Sequence, residues 1–387
     1  MRRAAVVAAL ALAGCSVSPD TEPITGPGFV LVSPFASDAN ELWRQLVAAE
    51  VAAVTALFGS DLPDPPVTVV LDPIDVPESA TLTERLGAHA EGPVGDATAD
   101  WRIRLFVARQ GSGLLSVSNE ARLRHELAHI LLHRRCPRAL LWLHEGLAHE
   151  VEDSVTTGTG LAFHPAPVRL ALARALATES NVSSLWTWER SEQPDRDLES
   201  ARRALASSFV RFLLEREGTG WPDALPRLAA LRPQDDPTLV GAWRTWLDQL
   251  DFAALVERGT ASPDAAIRRA AAGALIELAE NAQIPALGAS VGAATDALAL
   301  GIVSDPACWT SATQYLTVFR AQALSNADVA GLCAPSAPAH VRLAGLAVAA
   351  RRGAPADAAE VRALREALPA ELRSRTLFLR PFLPGLE

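Results

Sequence analysis

Two histidines four residues apart, in the run His125-Glu126-Leu127-Ala128-His129, constrain this chain more than any other feature. On an α-helix, positions i and i+4 project from one face, one turn apart, so the two imidazoles converge. Glu126 points to a different side. Sixteen residues past His129, Glu145 follows in Trp142-Leu143-His144-Glu145-Gly146-Leu147-Ala148. Two imidazoles and one carboxylate form the donor set of a catalytic zinc that keeps its fourth position open. In this reading His125, His129 and Glu145 are the ligands, and Glu126 is a general base that acts on water without coordinating the metal. The competing account makes both histidines hydrogen-bonded core residues, because Leu127-Ala128-His129-Ile130-Leu131-Leu132 suits a buried helix. The HExxH run alone does not decide between them; Glu145 at a workable spacing weighs towards the metal.

The intervening chain fits that geometry. The expected helix starts near Ser118 or Asn119 as N-cap and runs to about Arg134, where Pro137 ends it. A second helix is expected from about Arg138. A short connection makes two helices antiparallel neighbours, which would return Glu145 towards both histidines.

With its Trp-Leu-x-Glu-Gly-Leu-Ala continuation, the HExxH run resembles the gluzincin metallopeptidases, the thermolysin-like superfamily, and most of all their peptidase MA-like bacterial branch. The resemblance implies an α+β fold: a mixed sheet ahead of the HExxH helix, then a helical lobe. Phe29–Val32, Val67–Leu71 and Trp101–Arg109 read as strands, with a helix from about Asp38 to Phe58 between the first two. By the same resemblance, Trp101–Arg109 is expected to be the edge strand that pairs with an extended substrate. Ala204–Gly218 and Ala242–Leu250 resemble the lobe. The likeness covers residues 29 to 252.

There are departures from the family pattern. Many relatives read Glu-Gly-x-Ala-x-Tyr-x-Glu, but Glu150 occupies the Tyr position here, while Glu152 keeps the last carboxylate. Thermolysin itself carries an Asp four residues past the ligand Glu, orienting a histidine; that position is His149 in this chain. His149, Glu150, Glu152 and Asp153 therefore stand as candidates for groups that orient the ligands from behind. Relatives stabilise the oxyanion with a downstream Tyr or His. The single tyrosine, Tyr315, lies far downstream, and His164 is the nearer candidate, with a surface-loop histidine as the alternative.

At the N-terminus, Met1-Arg2-Arg3 precedes ten apolar residues, Ala4 to Ala13. This is too short to span a bilayer and right for a signal peptide. Leu12-Ala13-Gly14-Cys15 resembles the bacterial lipobox, which implies cleavage before Cys15 and its lipidation. Residues 1–14 then form the signal and 15–28 a flexible tether. The expected location is the bacterial cell envelope, on the outer membrane or the periplasmic face, with the membrane engaged through Cys15. The formal charge of −10, with no basic stripe to offset it, suits no nucleic-acid partner; every basic residue is Arg, which fits a GC-rich genome rather than a binding function. Of the three remaining cysteines, Cys308 and Cys333 are the preferred disulfide, and Cys136 is expected as a buried thiol.

Residues 253 to 387 change character. Ala-rich amphipathic stretches begin at Pro263 and again 75 residues later at Pro338, about two HEAT repeat lengths. An all-α domain is expected, either a degenerate HEAT-like solenoid or a plain bundle, available to a protein partner. Together these features point to a membrane-anchored zinc metallopeptidase acting on a peptide or protein substrate. The alternative is a non-catalytic envelope lipoprotein that uses the zinc-binding fold as a scaffold or binding module.

Overall fold

The computed structural model describes residues 22–34, 37–74, 88–91, 101–108, 113–164, 166–189 and 195–386. Cys15 and the signal segment lie outside them. Among the described residues no helix is long and apolar enough to cross a membrane. The chain is mixed α/β, predominantly helical, and divides into two units. One comprises residues up to Phe163 together with Leu176–Leu247; the other comprises His164–Ala175 and the chain from Asp248 onward. The segment carrying His164 thus belongs to the second unit, although it falls within the run 29–252 that reads as one domain in sequence.

The first unit begins with a five-stranded sheet. Its strands are β1 (Ile24–Gly26), β2 (Phe29–Val32), β3 (Val67–Ile74), β4 (Ala88–Glu91) and β5 (Arg102–Ala108), in the spatial order β1-β2-β3-β5-β4. β2, β3 and β5 run parallel, while β1 and β4 are antiparallel to their neighbours. Alternation sets the buried face: Phe29, Leu31, Val67, Val69, Leu71, Ile103 and Leu105 are all at or near zero exposure. Helix α1 (Ser37–Leu57) presents Trp43, Val47, Val51 and Val54 as a buried stripe at three- and four-residue spacing, and it packs on the sheet.

Two expectations change here. The segment 15–28, read as a tether, contributes β1, because Pro27-Gly28 closes a hairpin in which Gly28 takes φ +74, a conformation that needs glycine. The strand after Trp101 is not an edge. β4 pairs with it from Ala88↔Leu105 to Glu91↔Arg102, so among the described residues the edge on that side is Ala88–Glu91.

Helix α2 (Gly113–Arg135) carries the HExxH run and lies against β4 and β5. It starts ahead of Ser118 and Asn119, which are helical rather than capping. It ends two residues before Pro137, and α3 (Leu141–Glu152) follows a five-residue connection, starting later than Arg138. A hairpin of β6 (Val155–Thr157) and β7 (Gly160–Ala162) comes next. Helix α4 (Pro167–Leu176) belongs almost wholly to the second unit. The first unit is completed by α5 (Glu179–Trp186), α6 (Arg196–Glu217), α7 (Trp221–Ala230) and α8 (Pro237–Asp248).

α3 packs most closely on α6. Trp142, Trp186, Phe209 and Trp243 form an edge-to-face aromatic core beneath that contact. Gly146 permits the close approach: a methyl there would come within 2.5 Å of the Ala206 carbonyl oxygen and of Val210 Cγ2. We therefore expect Gly146→Ala to cost about 1–3 kcal/mol in urea unfolding. Gly158→Ala, where an added methyl meets nothing within 4 Å, serves as the control with little change.

The second unit is helical. The two Ala-rich stretches form α10 (Ala265–Glu280) and a later helix, Ala339–Arg351, and each packs on the shorter helix before it: α9 (Phe252–Thr260) and Asn326–Leu332. Between them Tyr315 is buried, with its hydroxyl 3.0 Å from Thr295 Oγ1 and 3.1 Å from Asp296 Oδ1. Arg320 grips the same Asp296 at 2.7 and 2.8 Å. Burial, with smaller contributions from Asp296, pushes the Tyr315 hydroxyl up to about 12. The expected Cys308–Cys333 disulfide is not formed; both are thiols, as is the buried Cys136. Cys308 Sγ faces the Arg268 carbonyl oxygen at 3.5 Å, and Cys333 Sγ packs against Gly345.

Candidate metal centre

α2 and α3 run antiparallel, and their facing residues pair in opposite order along the chain. His133 meets His144, His129 meets His144 and Glu145, and His125 meets His149 and Glu152. Glu145, His149 and Glu152 share one stripe of α3 because they are four and then three residues apart. Glu150 lies on another stripe, facing α6, where its carboxylate accepts from Ser207 Oγ at 2.8 Å and pairs with Arg211 at 3.3 Å.

His125 Nε2 and His129 Nε2 face each other at 3.1 Å, and Glu145 Oε1 stands 3.6 Å from His129 Nε2. Ligand atoms held at about 2.0–2.1 Å by one tetrahedral ion lie roughly 3.3 Å apart. These three groups, whose ligand atoms all lie within 4.8 Å of one another, could therefore hold a metal ion. Glu126, beside His125, is buried, and its charge is felt at that imidazole.

A second trio, His125, His149 and Glu152, is equally compact. It uses the other nitrogen of His125. Nδ1 of His125 and Nδ1 of His149 lie 3.1 and 2.9 Å from the same oxygen, Glu152 Oε2. A neutral imidazole that donates from Nδ1 keeps its Nε2 lone pair for a metal. Glu152 is thus placed to fix the tautomer of His125, with His149 behind it.

The charges follow this arrangement. Burial opposes the protonated form of His125 most strongly, but the Glu152 hydrogen bond and the charges of Glu152, Glu126 and Glu145 outweigh it and raise its pKa. Burial alone would raise Glu152; hydrogen bonds from His125 and His149 overcome it and hold that carboxyl far below the usual range. We expect Glu152→Ala to weaken the affinity of this candidate site for a metal by roughly 10- to 100-fold in a chelator competition, because it leaves His125 unoriented.

Of the four candidates for orienting groups, Glu152 touches a proposed ligand through a hydrogen bond and His149 supports Glu152. Glu150 is committed to α6, and Asp153 caps the C-terminal end of α3. His164 belongs to the second unit, near Gly259. Sequence reasoning missed His133 and His144, which extend the ring contacts along the helix pair. It also missed Arg203, whose Nε is 3.9 Å from Glu145 Oε2. The i+4 spacing of His133 from His129 was the available signal for the first. Comparison with protein-family models, curated proteins and solved structures finds no match for this chain.

Proposed function

We propose that the first unit is a gluzincin-like zinc peptidase domain, tethered in a bacterial cell envelope through lipidated Cys15. The single observation that carries the reading is the convergence of His125 Nε2, His129 Nε2 and Glu145 Oε1, with Glu152 behind His125. Bound there, zinc supplies Lewis-acid polarisation of the scissile carbonyl and acidifies water. The residues do the rest. His125 and Glu152 hold the site's geometry through a fixed tautomer. Glu126 takes a proton from the attacking water and returns it to the leaving amine. Ala88–Glu91, the edge strand among the described residues, is where an extended peptide would pair with the sheet. The second unit is proposed as HEAT-like, its helix pairs serving a protein partner.

The direct test is metal content after purification of residues 16–387, which keep β1 in the sheet. One equivalent of zinc is expected; less than about a tenth of an equivalent after reconstitution overturns the reading, because such a site requires its ion.

One observation favours a second reading, a zinc-binding scaffold without catalysis. The position that holds Tyr in many relatives is Glu150, spent on Ser207 and Arg211, and the only tyrosine is bound within the second unit. A cellular phenotype that survives Glu126→Gln would select this alternative.

A further inference from the structure

We propose that Arg203 is a catalytic residue of this site, the donor that receives negative charge developing on the substrate's carbonyl oxygen. The proposal rests on the zinc reading above and names the group that reading lacks.

On α6, Arg203, Ser207 and Arg211 recur every four residues and so face α3 together. Ser207 and Arg211 are turned inward to Glu150, and the Arg211 side chain is 8% exposed. Arg203, one turn earlier, stands opposite Glu145 and is 51% exposed. Glu145 is thereby flanked on both sides, with Oε1 towards His129 and Oε2 towards Arg203. At 3.9 Å the guanidinium pairs with that carboxylate electrostatically but lies beyond hydrogen-bond distance, so its N–H donors are not consumed there. The site thus has a fixed positive charge beside a ligand carboxylate and open to solvent. A donor in that place is worth most where charge appears during the reaction.

The chain has no lysine, and its one tyrosine is engaged by Thr295 and Asp296 in the second unit. An arginine suits the task because its planar fork offers several donors and stays protonated throughout. The electron balance is simple. The water oxygen bonds to the carbonyl carbon as the C=O pair moves onto oxygen, where Arg203 donates hydrogen bonds and keeps its proton. The pair returns as the C–N bond breaks, and the amine leaves with the proton carried by Glu126.

The test uses the full-length protein loaded with cobalt(II), whose visible spectrum reports changes at the metal. Methylphosphonate is the tetrahedral anionic probe and acetate the planar one. Wild type is expected to bind one cobalt and respond to methylphosphonate. Arg203→Gln should keep the cobalt and raise the half-saturating methylphosphonate concentration at least roughly tenfold, as loss of a charge-assisted hydrogen bond implies. Arg203→Lys should fall between the two. Arg202→Gln, whose side chain faces Glu199 and Trp188 instead, should match wild type.

Equal half-saturation in wild type and Arg203→Gln overturns the proposal, as does a cobalt-loaded wild type that ignores methylphosphonate. Loss of cobalt in Arg203→Gln alone would make Arg203 a support for Glu145 and overturn it too. An equal weakening for acetate would reassign Arg203 to a substrate carboxylate. A wild type that takes up no cobalt defeats the metal reading itself, an outcome visible before any anion is added.

Discussion

Glu126→Gln is expected to leave one zinc bound while lowering peptide-bond hydrolysis by roughly 10²- to 10⁴-fold, the usual contribution of a positioned general base. The separation of the two effects follows from the geometry. In the proposed site the metal is held by His125, His129 and Glu145, none of which the substitution removes, with Glu152 behind His125, which it does not touch. Glutamine keeps the length and volume of the buried side chain but accepts no proton. The measurement is zinc content by mass spectrometry alongside the appearance of new peptide N-termini in cells carrying wild type or variant. Loss of zinc would show that Glu126 supports the site structurally. Unchanged cleavage with zinc bound would remove it as the base.

The convergence of His125, His129 and Glu145 was legible because its signal is local. His125 and His129 need only one turn of helix, and Glu145 needs only that the next helix return antiparallel. The choice among Glu150, Glu152 and Asp153 was latent in the same periodicity. Glu152 shares a stripe with Glu145 and His149, whereas Glu150 follows Gly146 onto the face that meets α6. What was not legible depends on distant partners. Ala88–Glu91 is only four residues long and has no β-branched side chain, so its short alternation carries little strand signal, and it forms a strand by pairing with β5. Ile24–Gly26 sits among Pro, Thr and Gly that read as linker, yet pairing with β2 outweighs composition. Cys308 and Cys333 share a region of sequence, but the packing around each thiol, which sequence does not report, leaves them unbonded.

The residue beside the motif that sequence passed over, Arg124, carries the second large prediction. Arg124 is buried on α2 immediately before His125, and its guanidinium joins three elements. Nε and Nη2 donate to Glu50 on α1 at 2.5 and 3.2 Å, Nη1 to the Ser154 carbonyl oxygen at 2.7 Å, and Nη2 to Thr156 Oγ1 of β6 at 3.0 Å. Glu50 is 1% exposed, so its charge depends on protein groups rather than water. Arg124→Met keeps much of the stem but takes the guanidinium from that carboxylate. The expected cost is about 3–5 kcal/mol in urea unfolding, the usual penalty for breaking a buried ion pair from one side. Pairing it with Glu50→Leu should recover much of this loss, because two apolar groups carry no desolvation penalty. The metal should report a different outcome. Ser154 follows Glu152 by two residues, so Arg124 also ties the end of α3 to the helix that bears His125. The double variant is therefore expected to regain stability while still binding zinc more weakly than wild type. Full recovery of both would confine Arg124 to the stability of the α1–α2 contact.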